Sequence, residues 1–183
     1  MNLVKMTVIG FFMFFMGAMG AHATTIDVYA AGNSSTGGGG AVTGINIGIG
    51  DHLVMVTDVN DCWSAGLGPR VSNADGLIGT GGTCQPTAFF GNYTQAGVTA
   101  PYGTLMGKIG SGAFFVVGTF FDQIMTEAGA LALYYWDANS GDNSGFVTVS
   151  INLNPNTGQN IPEPGILVLL GLGLGLLLFR RRV

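Results

Sequence analysis

Fifteen consecutive apolar residues, Gly165 to Phe179, lie between Pro162-Glu163-Pro164 and Arg180-Arg181-Arg182. That order constrains the chain more than any other feature, because it decides which solvent the preceding residues meet. At ~1.5 Å per residue the run covers ~22 Å as a helix, which is thin for a bilayer. A short transmembrane helix over 165–179 with snorkelling arginines still spans by thinning the membrane locally. The three arginines then stay cytoplasmic, and everything before the helix lies outside. The two flanking prolines forbid helix continuation and leave an extended segment open to a protease. A plain C-terminal anchor is the alternative reading.

The other end is also a targeting segment. Lys5 precedes an apolar stretch from Met6 to Met19, and Ala21-His22-Ala23 follows with small residues at the first and third positions. This is a signal-peptide pattern, with residues 1–23 removed by signal peptidase and Thr24 as the mature start. An uncleaved anchor helix is the alternative, although the stretch is short for a span. The tail resembles the PEP-CTERM sorting signal, whose motif, apolar helix and arginine cluster are all present in order. The resemblance implies recognition by an exosortase, a membrane-embedded transpeptidase-like enzyme of Gram-negative bacteria that make extracellular polysaccharide. Pro162, Glu163 and Pro164 are then the substrate motif. The inner membrane is a partner through the tail, and the destination is the cell surface or extracellular matrix.

Residues 24–160 remain for one domain with a core. They hold nine carboxylates (Asp27, Asp51, Asp58, Asp61, Asp75, Asp122, Glu127, Asp137 and Asp142) against Arg70 and Lys108, a formal charge of −7. Such a domain does not bind nucleic acid through its phosphates, which needs a basic surface. It can hold a divalent cation. Cys62 and Cys84, an even count in an exported chain, read as one disulfide. A metal pair is the rival, but His52 is the only histidine in the mature domain.

The hydrophobic pattern is that of strands. From Gly145 to Leu153, Val147, Val149, Ile151 and Leu153 alternate with Thr148, Ser150 and Asn152, as in a half-buried antiparallel strand. Ala130 to Trp136 places Leu131, Leu133 and Tyr135 on one face. Leu53 to Val59, Thr104 to Ile109, Ala113 to Val117, and Ile45, Ile47 and Ile49 give further runs, and Asp27 to Ala30 an opening strand. Seven or so short strands with Gly, Asn and Asp turns predict an all-β sandwich or jelly roll, flanked by the signal helix and the transmembrane helix. Ser64 to Pro101 reads as long and mostly irregular.

The turn before the last strand carries the chemistry. Asp137, Asp142 and Asn143 fall within seven residues. A tight turn lets their oxygens converge with backbone carbonyls, and oxygen-only ligation with two carboxylates suits calcium. A polar hairpin is the alternative, since Asp, Asn, Ser and Gly are ordinary turn formers.

Pro101-Tyr102-Gly103-Thr104-Leu105-Met106-Gly107-Lys108-Ile109-Gly110, with Gly129 to Leu133 leading to Asp137 and Asp142-Asn143-Ser144-Gly145, resembles the soluble bacterial galactophilic lectins. The resemblance implies a galactose-binding-like β-sandwich with one calcium coordinated directly by sugar hydroxyls. It assigns Asp137, Asp142 and Asn143 as side-chain calcium ligands and backbone carbonyls near Leu67 and Asn139 as the remainder. Asp142 stands where the family has an Asn. The family's sugar-gripping His and Gln have no counterpart between Ser72 and Ala100, so sugar specificity does not carry over.

Asp137, Asp142 and Trp136 are the candidate ligand-contacting residues. For Trp136, packing or pocket wall is the commoner role for an aromatic in a strand pattern and ligand contact the alternative, and Trp63 is placed over the disulfide beside it. No Gly-x-Ser-x-Gly, His-Glu-x-x-His or phosphate-loop pattern occurs, and the domain has little room for a glycosidase cleft around Asp58 and Asp61. These features describe a non-enzymatic, surface-anchored sandwich that binds calcium and extracellular polysaccharide. The alternative is a structural matrix protein that uses calcium only for stability.

Overall fold

A computed structural model describes residues 22–156. The signal stretch before His22, the motif Pro162-Glu163-Pro164, the apolar run Gly165 to Phe179 and the arginine cluster lie outside the described residues. Among the described residues no helix is long and apolar enough to cross a membrane.

The longest strand, β12 (Ser144–Asn154), organises the first sheet. Its Val147, Val149, Ile151 and Leu153 are buried while Phe146, Thr148 and Ser150 are exposed, so one face is committed to a core. β1 (His22–Tyr29) pairs antiparallel along one side of it, from His22↔Leu153 to Tyr29↔Phe146. β3 (His52–Thr57) and the two-residue β4 (Trp63–Ser64) pair with successive parts of β12, beyond which lie β10 (Phe120–Ile124) and β5 (Val71–Ser72). The second sheet has the order β2 (Ala41–Ile47), β11 (Gly129–Tyr135), β8 (Leu105–Ile109), β9 (Phe114–Val116). The two sheets face each other across one core. Val28, Leu53, Met55, Val147, Val149 and Ile151 from the first meet Leu105, Ile109, Leu131, Leu133 and Tyr135 from the second. Burying each large aliphatic side chain contributes roughly 1.5–3 kcal/mol before entropy is counted. The all-β sandwich expected from the alternation is the architecture observed.

Some details differ from the sequence reading. Twelve strands occur among the described residues, and the opening strand begins at His22 rather than Asp27. Cleavage after Ala23 would remove its first two positions and leave the register intact from Thr24↔Ile151 onward. Ser64 to Pro101 is less irregular than its composition suggests. It contains β5 and a hairpin of β6 (Asn92–Gln95) and β7 (Val98–Pro101). That hairpin builds a second, small core, in which Ala100, Met106 and Trp136 are buried with Tyr93, Val98, Phe114 and Tyr134 around them.

Candidate functional site

The site forms where β11 ends and β12 begins. Adjacent residues of β11 point to opposite faces, so Tyr135 enters the main core and Trp136 the small one. Tyr135 meets Trp63 edge-on at 4.5 Å between ring centroids. Trp136 is held by its indole N–H, which donates to the Tyr93 carbonyl at 2.9 Å. The backbone around it is fixed as well: Trp136 N–H donates to the Thr104 carbonyl, and the Trp136 carbonyl accepts from Gly103 N–H. Asp137 is therefore presented from a rigid strand end.

The chain segment 33–36 runs beside this end and anchors the next residue. Ser35 N–H donates to the Tyr135 carbonyl, and Tyr135 N–H to the Asn33 carbonyl. The Ser35 hydroxyl then brackets Asp137, donating to its carbonyl at 3.3 Å and accepting from its N–H at 3.4 Å. At the far side of the turn, Gly145 (φ +81°) lets β12 start against β4, since a Cβ there would lie 3.1 Å from the Cys62 carbonyl oxygen and Trp63 Cα.

Between these anchors the polar groups gather. Asp137 is buried, with its Oδ1 accepting from Ala138 N–H at 2.6 Å. Burial raises its pKa above the usual aspartate range, and the nearby Asp142 charge adds to the rise. The backbone N–H groups of Ala138 and Asn139 and the Asn143 side-chain amide act in the opposite direction. Tyr135 lies beneath, its phenol pushed up by burial and then by the charges of Asp137 and Asp142. Asn143 is also buried; its Nδ2 donates to the Ala30 carbonyl at 3.3 Å, while its Oδ1 has no hydrogen-bond partner. Asn139 is outward: its Nδ2 donates to Asp142 Oδ1 at 3.0 Å, and its Oδ1 accepts from Gly141 N–H at 3.1 Å.

Three residues that the sequence does not assign to the site complete the surroundings. Ser35 fixes Asp137, as described. Gly66 lies so close to Asp142 that a Cβ on it would collide with the carboxylate. Arg70 Nη1 stands 3.9 Å from Asp142 Oδ2. Leu67, next to Gly66, is 90% exposed. The fold therefore brings Asp137, Asp142, Asn143 and Asn139 together and sets the Gly66–Leu67 bend against them.

Of the two roles open to Trp136, the structure shows packing and leaves ligand contact without support. It has no exposed surface and serves as the centre of the small core, packed against Tyr93 and Phe114. An indole buried on all sides has no face to offer a ligand. Cys62 and Cys84 form the expected disulfide, with Cα atoms 5.2 Å apart. Trp63 beside it is buried, and its indole N–H donates to the Asn73 carbonyl at 3.1 Å. His52 meets Asp122 at 2.6 Å, a partly exposed contact across β3 and β10. Among the described residues no cluster of three or more His, Cys, Asp or Glu side chains forms a metal site. The donor set at the turn is two carboxylates, amide oxygens and backbone, a combination suited to a hard cation. The unpartnered Asn143 Oδ1, buried beside Asp137, is the observation that fits one, since an orphaned buried oxygen is costly without a partner.

Two packed sheets with a polar turn at one end place the described residues in the class of all-β sandwiches. Among solved structures the chain is similar to a protein described as "EclA N-terminal domain; PllA-like lectin", with a TM-score of 0.50 and 18% identity, over 71% of this chain and 95% of that one. Residues 160–182 match the family described as the PEP-CTERM protein-sorting motif, which marks the chain as exported and sorted to the envelope. No curated protein matches the chain.

Proposed function

We propose that this is a calcium-dependent carbohydrate-binding protein of the cell envelope, delivered by exosortase processing of its tail and directed at extracellular polysaccharide. The observation that carries the calcium half is the buried, unpartnered Asn143 Oδ1 beside Asp137 and Asp142. Asp137, Asp142 and Asn143 would hold the cation, with carbonyls near Leu67 and Asn139 completing the shell. A cation there would offset the mutual repulsion of the two carboxylates and give Asn143 Oδ1 a partner. Calcium held there would supply affinity for the hydroxyl oxygens of a sugar. The chain's own part is to hold Asp137 through Ser35 and the Trp136 backbone, so that the carboxylates are preorganised. The fold supports a binding role over a catalytic one, because the structural relative is itself described as a lectin.

A second reading keeps calcium but drops the sugar: a matrix protein stabilised by the cation. The burial of Trp136 favours it, since the turn then lacks the stacking platform expected of it. A glycan array read with calcium and again with chelator separates the two. The carbohydrate reading expects binding that chelator removes. Absence of glycan binding in both conditions, with calcium binding intact by calorimetry, would leave the matrix reading. Glycan binding indifferent to chelator would remove calcium from the mechanism.

A further inference from the structure

A cavity of about 380 Å³ opens beside the turn and shares Leu67 with the candidate calcium shell. Its walls come from two stretches of chain. Leu67, Pro69 and Arg70 line one side; Pro86, Phe89 and Phe90 line the other. Its size lies at the small end of ligand pockets, about 300–1,000 Å³. The walls are built rather than draped. The Cys62–Cys84 disulfide ties the segments leading into both sides. Phe90 N–H donates to the Leu77 carbonyl at 3.1 Å, and Gly81 N–H to the Pro86 carbonyl at 2.9 Å. Phe90 also leans edge-on against Tyr102 at 5.5 Å. Yet Phe89 and Phe90 remain 56% and 45% exposed, so aromatic faces are held open to solvent.

Arg70 is the chemical key. It is one of only two Lys or Arg residues between positions 22 and 156, a stretch with nine carboxylates. Its guanidinium lies 4.8 Å from the centre of the Phe90 ring, and one nitrogen reaches toward the Ala65 carbonyl at 3.5 Å. The same nitrogen faces Asp142 at 3.9 Å, a separation too long for a hydrogen bond. The guanidinium is thus positioned by stacking while several of its N–H donors stay uncommitted. A cavity with half-exposed aromatic rings, proline walls and one cation at its rim is complementary to a pyranose ring carrying a carboxylate. The ring's C–H face would lie on the aromatic side, and the carboxylate would meet the planar fork of donors that Arg presents.

We propose that this cavity is a subsite for a uronic acid residue of an acidic polysaccharide, with Arg70 as the group that selects the carboxylate. The inference deepens the carbohydrate reading above and rests on it. A domain of formal charge −7 repels acidic sugars in general. Arg70 reverses the sign at one place only. Calcium at Asp142 would strengthen the reversal, because it takes the one carboxylate that now faces the guanidinium. Acidic-sugar affinity is therefore expected to rise with calcium.

The test uses the full chain purified in detergent and four probes: galacturonate, glucuronate, galactose and glucose, each titrated with calcium and with chelator. At least one uronate should bind more tightly than its neutral counterpart by on the order of tenfold, the factor given by ~1.4 kcal/mol. Arg70→Gln should erase that preference, Arg70→Lys should restore part of it, and Lys108→Gln should leave it unchanged. Thermal melting of each variant separates loss of the subsite from loss of the fold. Equal affinity for uronate and neutral sugar, a preference that survives Arg70→Gln, or no uronate binding at all would overturn the proposal. Calcium binding measured in the same samples keeps the two readings apart. Calcium binding without a uronate preference refutes the subsite alone, and a uronate preference without calcium binding refutes the calcium site alone.

Discussion

An Asp137→Asn variant should gain stability slightly in the absence of calcium and lose all stabilisation by calcium. Asp137 is buried beside Asp142, and burial followed by that charge raises its pKa above the ordinary value of 3.8. A folded-state pKa above the unfolded one means that the folded protein binds more protons across that interval. The calcium-free protein should then lose stability as pH rises from about 3.8 through the raised folded value, and level off above it. Asn removes this loss, and its carbonyl can still accept from Ala138 N–H. With calcium the sign reverses, because Asn lacks the negative charge that the cation would neutralise at this position. At a hundredfold excess over Kd, calcium contributes about 2.7 kcal/mol. The 135 described residues, at ~2.1 cal/mol/K each, give an unfolding entropy of ~0.28 kcal/mol/K, so the melting temperature should rise by about 10 °C. Differential scanning calorimetry of the full chain with calcium or chelator, over a pH series, reads both effects. Asp58→Asn, outside the turn, is the control and should keep the calcium gain. A calcium gain that persists in Asp137→Asn would refute the assigned ligand. A wild-type chain with no gain at millimolar calcium would reduce the turn to a polar hairpin.

Replacing Pro162-Glu163-Pro164 by alanines should leave export intact and block processing; full-length precursor accumulating in membranes, seen by mass, is the expected outcome, and normal processing would refute it. Trp136→Ala should cost about 3–5 kcal/mol, because it empties the small core beneath the β6–β7 hairpin. Denaturant titration checks this, and a loss under 1 kcal/mol, by the same cavity argument, would mean that the hairpin does not bury the indole.

The strands legible in the sequence are those whose burial is one-sided. β12 and β11 alternate because one face meets the core and the other meets solvent or a thin cover. β10 escaped notice because it is an edge strand whose Phe120 and Ile124 are exposed at 64% and 60%, which leaves no inward apolar row to detect. β4 and β5 are two residues each; β4 exists through pairing with the distant β12, and β5 through pairing with β4. The β6–β7 hairpin was hidden by its turn. Ala96 and Gly97 both take positive φ, 50° and 81°, a geometry usually signalled by Asn-Gly. An Ala in the first position carries no such signal.

The β6–β7 hairpin explains why Trp136 packs and does not face a ligand. The alternation of Leu131, Leu133 and Tyr135 correctly sends the next side chain to the outer face. Exposure follows only if that face is bare, and here Tyr93, Val98 and Ala100 cover it. The carboxylates and amides of the turn were legible because they are local. Arg70 and Ser35 were not, since Ser35 lies 102 positions from Asp137 and reaches it only through the folded sheet.

The direction of β12 links the site to the sorting end. The strand starts at Ser144, immediately after the turn that carries Asp137, Asp142 and Asn143, and ends at Asn154. Eleven extended residues at ~3.4 Å of rise place those ends about 34 Å apart. The chain leaves toward the motif at 160–182 from the second end. The candidate site therefore sits at the pole of the sandwich opposite the exit of its sorting segment. The Arg70 cavity lies at the same pole, since Arg70 faces Asp142 and β4 meets β12 at Ser144 and Gly145. A polymer approaching the turn would meet the proposed calcium ligands and the cavity on one exposed end. Attachment at the other end would not obstruct it, so a tethered and a released form should bind the same glycans.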